Sequence, residues 1–141
     1  MVSYNIKERP RCTGKTIELK LRVLEDLVSS EADFYTQIII TPNQNMASHF
    51  INWRNNFVIN TSDIEVCSTI NTLRNILRGI SGRKRIAVYI EEPFMLEYHK
   101  QAEIITELEE LGKRNNVVVF GIGTQKPEEY LNQIFKNKME S

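Results

Sequence analysis

The chain has 141 residues, enough for one domain with a sizeable core, and 41% are hydrophobic while 26% are charged. Its 18 basic and 18 acidic side chains cancel, which argues against a protein dedicated to coating nucleic acid but permits a local basic patch. Cys12 and Cys67 form no C-x-x-C pair, and no apolar run approaches the roughly 20 residues of a membrane helix. The N-terminus lacks a signal-peptide pattern. We therefore expect one cytoplasmic domain over residues 1–141, without membrane association.

Strand-like and helix-like segments alternate along the first part of the chain. Residues 2–6 alternate apolar and polar side chains and are predicted to form a strand, and helical periodicity begins after Gly14. Ser29-Ser30 is predicted to end this helix. Its main apolar stripe consists of Ile17, Leu21, Leu24 and Val28. A second row widens this stripe and consists of Leu19, Val23 and Leu27.

The middle of the chain continues this alternation. The β-branched run Ile38-Ile39-Ile40 is typical of a strand that is buried on both faces of a parallel sheet. Pro42 stops this strand, and Asn43 suits the N-cap of a second helix. One or two short strands are predicted over 57–59 and 64–66, and a helix over 70–80.

The last part of the chain repeats the same pattern. Residues 86–90 form an apolar run that leads into Glu91-Glu92, and a helix is predicted from about Phe94 to Leu111, with Gly112 at its C′ position. A strand over 117–120 leads to a glycine-rich turn over 121–125, and Pro127 opens a final helix. This order predicts an α/β fold with a mostly parallel sheet of about five strands and helices on both faces, in which ligands bind at the carboxyl ends of the strands.

The residues after the first predicted strand match half of a phosphate-binding loop. The P-loop pattern is G-x-x-x-x-G-K-[ST], and residues 9–16 read RPRCTGKT. Gly14 allows close backbone approach, Lys15 supplies charge for terminal phosphates, and Thr16 can ligate Mg²⁺. Arg9 replaces the opening glycine, Pro10 removes one amide donor, and a simple turn with a solvated lysine is the alternative. The predicted nucleotide-binding residues are Arg11, Cys12, Thr13, Gly14, Lys15 and Thr16.

Polar residues also follow two later strands. Phosphoryl transfer needs a carboxylate near Mg²⁺ and a group that activates water, and we predict these roles for Glu91 and Glu92 respectively. An acidic helix start that interacts with the helix dipole is the alternative. Thr124 or Gln125 is predicted to sense the γ-phosphate, and a helix cap explains the same residues equally well.

Together these segments resemble the RecA-like ATPase core shared by superfamily 1 and 2 helicases and the large terminases of viral DNA-packaging motors. Residues 11–16 look like Walker A, 38–43 with Ala47, His49 and Phe50 are similar to motif Ia, 88–92 look like Walker B, and 121–124 look like the coupling motif. The resemblance spans about residues 2–125. It implies a three-layer αβα P-loop NTPase fold, ATP as substrate, Mg²⁺ as cofactor, and Lys15 and Glu92 as catalytic residues.

Three departures from the family's pattern bear on function. The first P-loop glycine is missing, Glu91 stands where an aspartate is usual, and nothing in the sequence resembles a second RecA-like domain or a nuclease. The family places nucleotide between domains or subunits, which implies a homo-oligomer or a partner protein. Arg83, Arg85 and Arg114 are candidates for an arginine finger, or are simply surface arginines.

Three interpretations of function remain open from the sequence. The first is a Mg²⁺-dependent ATPase that acts on DNA or RNA or within a nucleoprotein motor, in the host cytoplasm if the protein is viral. The second is a degenerate P-loop protein with a regulatory or assembly role. The third is a doubly wound domain whose Gly14-Lys15-Thr16 is incidental.

Overall fold

A computed structural model shows an α/β fold built around one parallel sheet. The structure describes residues 1–10, 14–28, 34, 36–57, 64–80, 82–124 and 135. Within these residues the chain forms five strands, four α-helices and one short 3₁₀ helix. In chain order they are β1 (Val2–Arg9), α1 (Lys15–Val28), β2 (Thr36–Ile40), α2 (Gln44–Phe57), β3 (Ile64–Cys67), α3 (Ile70–Arg78), β4 (Arg85–Glu91), the 3₁₀ helix (Pro93–Met95), α4 (Tyr98–Gly112) and β5 (Asn116–Thr124).

The five strands run parallel in the order β1-β5-β4-β2-β3, which confirms the predicted α/β class and parallel sheet. Helices α1 and α2 pack on one face of the sheet through Leu19, Val23 and Phe50. Helices α3 and α4 pack on the other face, where Leu73 and Leu108 are buried. The chain moves outward from β1 to β3 over the first face and returns to β5 over the second. Because crossovers between parallel strands are right-handed, the connecting helices must change face where the chain reverses its direction across the sheet.

Strand β2 and the residues after it form as their sequence predicts. Every residue of β2 is buried, with Ile38 and Ile40 in the core against α3 and α4 and Ile39 in the opposite core. After the strand, Asn43 Oδ1 accepts a hydrogen bond of 3.0 Å from the backbone N–H of Met46. The predicted N-cap is therefore confirmed.

The apolar stripe predicted for α1 is confirmed only in part, because Leu24 and Leu27 pack against the core but Ile17, Leu21 and Val28 of the main row are exposed. Leu19 and Val23, which belong to the second row, are 1% and 0% exposed, whereas Ile17 and Leu21 are 63% and 54% exposed. Because α1 carries apolar residues on two sides, its periodicity identifies a helix but not the side that meets the sheet. The predicted stop at Ser29-Ser30 lies outside the described residues.

The prediction of a glycine-rich turn over 121–125 is wrong for residues 121–124, because β5 continues through Thr124. A Cβ at Gly123 would lie 2.3 Å from the ring of Phe94, and one at Gly121 would lie 2.8 Å from Ile6 Cδ1. These glycines therefore permit close packing within a strand rather than a turn. Gln125 lies outside the described residues.

Helix α4 begins later than predicted, because Pro93–Met95 forms a separate 3₁₀ helix and α4 starts at Tyr98. Gly112 is the last residue of α4 instead of its C′ residue. A Cβ at Gly112 would lie 2.4 Å from Val2 Cγ2, so this glycine allows α4 to pack against β1.

Two further predictions concern short segments. Phe57 ends α2 rather than starting a strand, and residues 58–59 lie outside the described residues. Of the predicted final helix, the structure describes Phe135, which is helical and fully buried. Among the described helices, none has the length and apolar character needed to cross a membrane.

Candidate functional site

The start of α1 and the ends of β4 and β5 meet at the carboxyl edge of the sheet. In the sheet, β5 lies between β1 and β4, so the residues that follow these strands converge. Thr16 Oγ1 donates a hydrogen bond of 2.8 Å to Glu91 Oε1. The structure thus brings together a hydroxyl and a carboxylate that are 75 positions apart in the sequence.

The turn into α1 has a backbone that favours glycine. Gly14 has a φ of +75°, which is costly for residues with a side chain. Its carbonyl accepts a hydrogen bond of 2.9 Å from the N–H of Glu18, so the helix begins directly after it. Lys15 Nζ lies 3.5 Å from the carbonyl oxygen of Pro10, across the loop. The other predicted nucleotide-binding residues, Arg11, Cys12 and Thr13, lie outside the described residues.

Arg9 has a structural role that the sequence did not reveal. Its guanidinium donates from Nε and Nη2 to the two carboxylate oxygens of Glu18, at 3.3 Å each, and from Nη1 to the carbonyl of Glu8 at 3.0 Å. This bidentate pair connects the end of β1 to the first turn of α1. The residue that replaces the opening glycine of the P-loop pattern therefore links the two ends of the loop.

Glu91 is a buried carboxylate with an incomplete set of partners. It is 4% exposed, and within the described part of the chain no group donates a hydrogen bond to its Oε2. Burial raises the pKa of this carboxyl and the nearby Glu92 raises it further, whereas the hydrogen bond from Thr16 and the charges of Lys20 and Lys15 oppose the shift. A buried carboxylate that is ionised and lacks a partner on one oxygen is stabilised by a nearby cation.

The carboxylate of Glu92 is held by the end of β5. Thr124 Oγ1 lies 2.8 Å from both Glu92 carboxylate oxygens, and the backbone N–H of Thr124 lies 3.4 Å from Oε2. Glu92 has a left-handed backbone, with φ 52° and ψ 55°, and stands before Pro93, where right-handed helical geometry is disfavoured. Such a conformation costs about 1–2 kcal/mol in a residue other than glycine. Strain of this kind often marks functional sites.

A buried polar network, which the sequence did not reveal, fixes α1 against β4. Tyr89 Oη donates to Asp26 Oδ2 at 2.6 Å and accepts from Gln37 Nε2 at 2.8 Å, while Gln37 Nε2 also donates to the carbonyl of Val23 at 3.0 Å. Burial, followed by the hydrogen bond to Asp26, raises the pKa of Tyr89, so its hydroxyl keeps its proton. Tyr89 lies two residues before Glu91, so this network positions β4 relative to the helix that carries Thr16.

The predicted arginine-finger candidates lie at the opposite end of the strands, where the amino ends of the sheet are. Arg85 begins β4 and Glu91 ends it, which places them about 20 Å apart at the rise of an extended strand. Arg83 and Arg114 are exposed near Arg85. None of these three arginines reaches the Thr16–Glu91 pair within its own chain.

Replacement of Glu91 by glutamine is expected to stabilise the protein without ligands at pH 7 by about 1 kcal/mol, the scale of single stabilising substitutions. The pKa of Glu91 is higher in the folded than in the unfolded chain, so ionisation costs folding free energy. The penalty is absent below the unfolded pKa of about 4.3 and grows as pH rises toward the folded pKa. Thermal unfolding of both proteins from acid to neutral pH measures this difference.

The control for this measurement is Glu97→Gln, because the Glu97 side chain is 71% exposed and its pairing with His99 is a surface contact. We expect no comparable stabilisation in this control. A Glu91→Gln protein that is less stable than wild type at pH 7, or a difference that does not shrink on acidification, would contradict the description of Glu91 as a penalised charge.

No protein-family model matches the chain, and neither does any curated protein. The chemistry of the site therefore rests on its own geometry. That geometry combines a left-handed glycine at a helix start, a hydroxyl bonded to a buried carboxylate, and a second carboxylate held by a neighbouring strand.

Proposed function

We propose that the chain is an ATP-binding, Mg²⁺-dependent ATPase domain of helicase or terminase type with a P-loop fold. In this proposal it acts on nucleic acid or within a nucleoprotein motor. The Thr16–Glu91 hydrogen bond of 2.8 Å is the observation that carries the proposal. It joins the two kinds of protein group that a nucleotide-bound Mg²⁺ uses in P-loop ATPases, a hydroxyl after the loop and a carboxylate after a buried strand.

The turn into α1 supports the binding of the phosphates. The left-handed backbone of Gly14 lets the chain turn sharply into α1, whose first N–H groups have no partners within the helix and attract anions. Lys15 stands at the first position of this helix and spans the loop toward Pro10. It therefore places a positive charge where terminal phosphates would lie against the helix start.

The donor set around Glu91 fits Mg²⁺. Magnesium keeps several water ligands and is usually held through one or two carboxylates and the substrate phosphates. Thr16 and Glu91 supply one hydroxyl and one carboxylate, and no cluster of three or more acidic, histidine or cysteine ligands occurs within the described residues. When bound, Mg²⁺ neutralises charge on the β- and γ-phosphates. The carboxylate oxygen Oε2 of Glu91 is the buried atom that such an ion would satisfy.

Glu92 supports hydrolysis as the next step. It adjoins the proposed metal ligand Glu91 but has a left-handed backbone, and the two carboxylates have different partners. Thr124 holds it at the end of β5. Glu92 is thus the group that would accept a proton from an attacking water, with Thr124 as its positioning residue.

A second candidate function is nucleotide binding without efficient turnover, in a regulatory or assembly factor. It is favoured by the Thr124–Glu92 contact, in which both carboxylate oxygens lie 2.8 Å from the hydroxyl of Thr124, and by the replacement of the first loop glycine by Arg9. The distance from the site to Arg83, Arg85 and Arg114 favours completion of an active site by a second copy of the chain or a partner protein.

The proposal is tested by Mg²⁺-dependent ATP binding to wild type, Thr16→Ala and Thr16→Ser. Loss of a hydroxyl that contacts charged groups is worth about 1.5–3 kcal/mol, so Thr16→Ala is expected to weaken Mg-ATP binding about tenfold or more. Thr16→Ser keeps the hydroxyl and is expected to keep the affinity. Calorimetry with Mg²⁺ and again with a chelator separates the contribution of the metal to affinity, because wild type and Thr16→Ala should bind ATP equally when Mg²⁺ is absent.

Two results would count against this function. If wild type binds no Mg-ATP, with or without DNA, the ATPase and the nucleotide-binding regulatory hypotheses both fail. If Thr16→Ala binds Mg-ATP as well as Thr16→Ser does, the hydroxyl beside Glu91 does not serve the metal.

A further inference from the structure

Lys20 of α1 carries a positive charge that is held by α2 and not by a carboxylate. Among the described residues it forms no ion pair, and its Nζ donates a hydrogen bond of 2.8 Å to Nε2 of His49. The same ammonium lies 5.8 Å from the ring centroid of Phe50 and 5.6 Å from that of Trp53. An imidazole nitrogen and aromatic rings stabilise an ammonium without neutralising it. The charge of Lys20 is therefore held in place but left uncompensated at short range.

The hydrogen bond to Lys20 requires a neutral His49. Partial burial, followed by the nearby charge of Lys20, lowers the pKa of His49 from its ordinary value of 6.5, so the imidazole is neutral at pH 7. An ammonium group has no lone pair, so Lys20 is the donor, and Nε2 accepts only when the ring proton lies on Nδ1. The contact therefore depends on His49 as a hydrogen-bond acceptor and not only on its shape.

The carboxylate of Glu91, near this cation, lacks a donor on one oxygen. Lys20 follows Thr16 by four residues, which places both on the same side of α1, and Thr16 Oγ1 contacts Glu91 Oε1. Burial raises the pKa of Glu91, and the positive charge of Lys20 is among the effects that oppose this rise. Within the described residues Oε2 of Glu91 is nevertheless buried without a hydrogen bond. A lysine on a flexible four-carbon stem is suited to meet such an oxygen, yet Lys20 is held elsewhere.

We propose that His49 is a positioning residue that holds the Lys20 ammonium away from Oε2 of Glu91, so that this oxygen stays open to Mg²⁺. Lys20 is then an internal competitor of the metal, because an ammonium at hydrogen-bond distance from Oε2 stands where the metal would bind. The inference rests on the proposed function for the identity of the metal, whereas the observed position of Lys20 does not depend on it.

The first measurement uses the protein without ligands. A double-mutant cycle with Lys20→Met and Glu91→Gln, followed by thermal unfolding at pH 7, measures the interaction between the two charges. The cycle is made once with His49 in place and once in His49→Ala. Removal of the imidazole frees the ammonium to reach Oε2, so we expect the coupling in Tm to be larger in His49→Ala by about 3 °C or more. Equal coupling in both backgrounds would overturn the proposal.

The second measurement is Mg-ATP affinity by calorimetry. His49→Ala is expected to bind Mg-ATP about tenfold more weakly than wild type, the scale of one lost charge-assisted contact, while ATP binding with a chelator stays unchanged. His49→Gln keeps an acceptor for Lys20 and should bind Mg-ATP like wild type. His49→Ala/Lys20→Met should bind as tightly as Lys20→Met alone, because no competitor is left.

The double variant distinguishes positioning from a merely structural role. If it binds Mg-ATP more weakly than Lys20→Met by the same factor that separates His49→Ala from wild type, His49 acts without Lys20 and the proposal fails. The matched controls are His99→Ala and Lys100→Met, which alter an exposed histidine and an exposed lysine of α4. Neither control should change the coupling or the affinity, and an equal loss of affinity in His99→Ala would also overturn the proposal.

The two measurements separate this inference from the proposed function. Mg-ATP binding by wild type with unchanged affinity in His49→Ala overturns this inference alone. Wild type that binds no Mg-ATP overturns the proposed function, and it also overturns the competition with Mg²⁺ inferred for Lys20, even if the coupling between Lys20 and Glu91 rises in His49→Ala.

Discussion

Glu92→Gln is expected to lower ATP turnover by about 10²–10⁴-fold, the contribution of a positioned general base, while Mg-ATP binding stays at the wild-type level. The amide keeps an oxygen that can accept the hydrogen bond of Thr124, but it cannot take a proton from water. Single-turnover hydrolysis with radiolabelled ATP, beside equilibrium binding, measures the two effects separately.

Glu97→Gln is the control for this variant, because Glu97 lies nearby in the chain with an exposed side chain. It is expected to hydrolyse ATP like wild type. Turnover by Glu92→Gln at the wild-type rate would exclude Glu92 as the base. Wild type that binds Mg-ATP without turning it over would favour the regulatory hypothesis, in which Thr124 keeps Glu92 from acting.

Lys15→Ala is expected to weaken ATP binding by about 10- to 100-fold, because a charge-assisted contact contributes about 1.5–3 kcal/mol. Its thermal stability should remain that of wild type, since the contact of Lys15 that the structure shows is a long one of 3.5 Å to the carbonyl of Pro10. Titration with ATP and with AMP is informative, because the loss should be largest for the ligand that carries the terminal phosphates.

Lys100→Ala provides the matched control, since Lys100 is an exposed lysine on α4. It should bind ATP and AMP like wild type. If Lys15→Ala binds ATP as tightly as wild type does, the nucleotide uses another site, whatever the affinity of wild type is.

The sequence predicted well those features that depend on neighbouring residues. The triple-isoleucine core of β2 is buried on both faces because each face of the sheet carries helices, as its unbroken apolar run indicated. Asn43 caps α2 because the cap needs nothing beyond the next three residues. Thr16 lies beside Glu91, as expected for residues at the carboxyl ends of parallel strands, whereas the roles of the two residues at Mg²⁺ stay a prediction.

Features that depend on distant partners were not predictable in the same way. Strand β5 extends through Gly121 and Gly123 because β1 pairs along its whole length, and that pairing overrides the turn preference of glycine. The Arg9–Glu18 pair requires the loop to fold back on α1, which no local pattern encodes. In α1, both Leu21 and Val23 fit a helical stripe, and the position of the sheet alone decides that Val23 is buried.

The strand order has a consequence for how the protein folds during synthesis. Strand β1 pairs with β5 from Val2 opposite Val117 to Arg9 opposite Thr124, so the first of the five strands to be synthesised forms its ladder with the last of them. Such non-local pairing slows folding and exposes unpaired strand edges to aggregation. Helix α1, which carries Thr16, follows β1 in the chain, whereas Glu91 ends β4 and Thr124 ends β5, so the candidate site is complete only after β5 has been made.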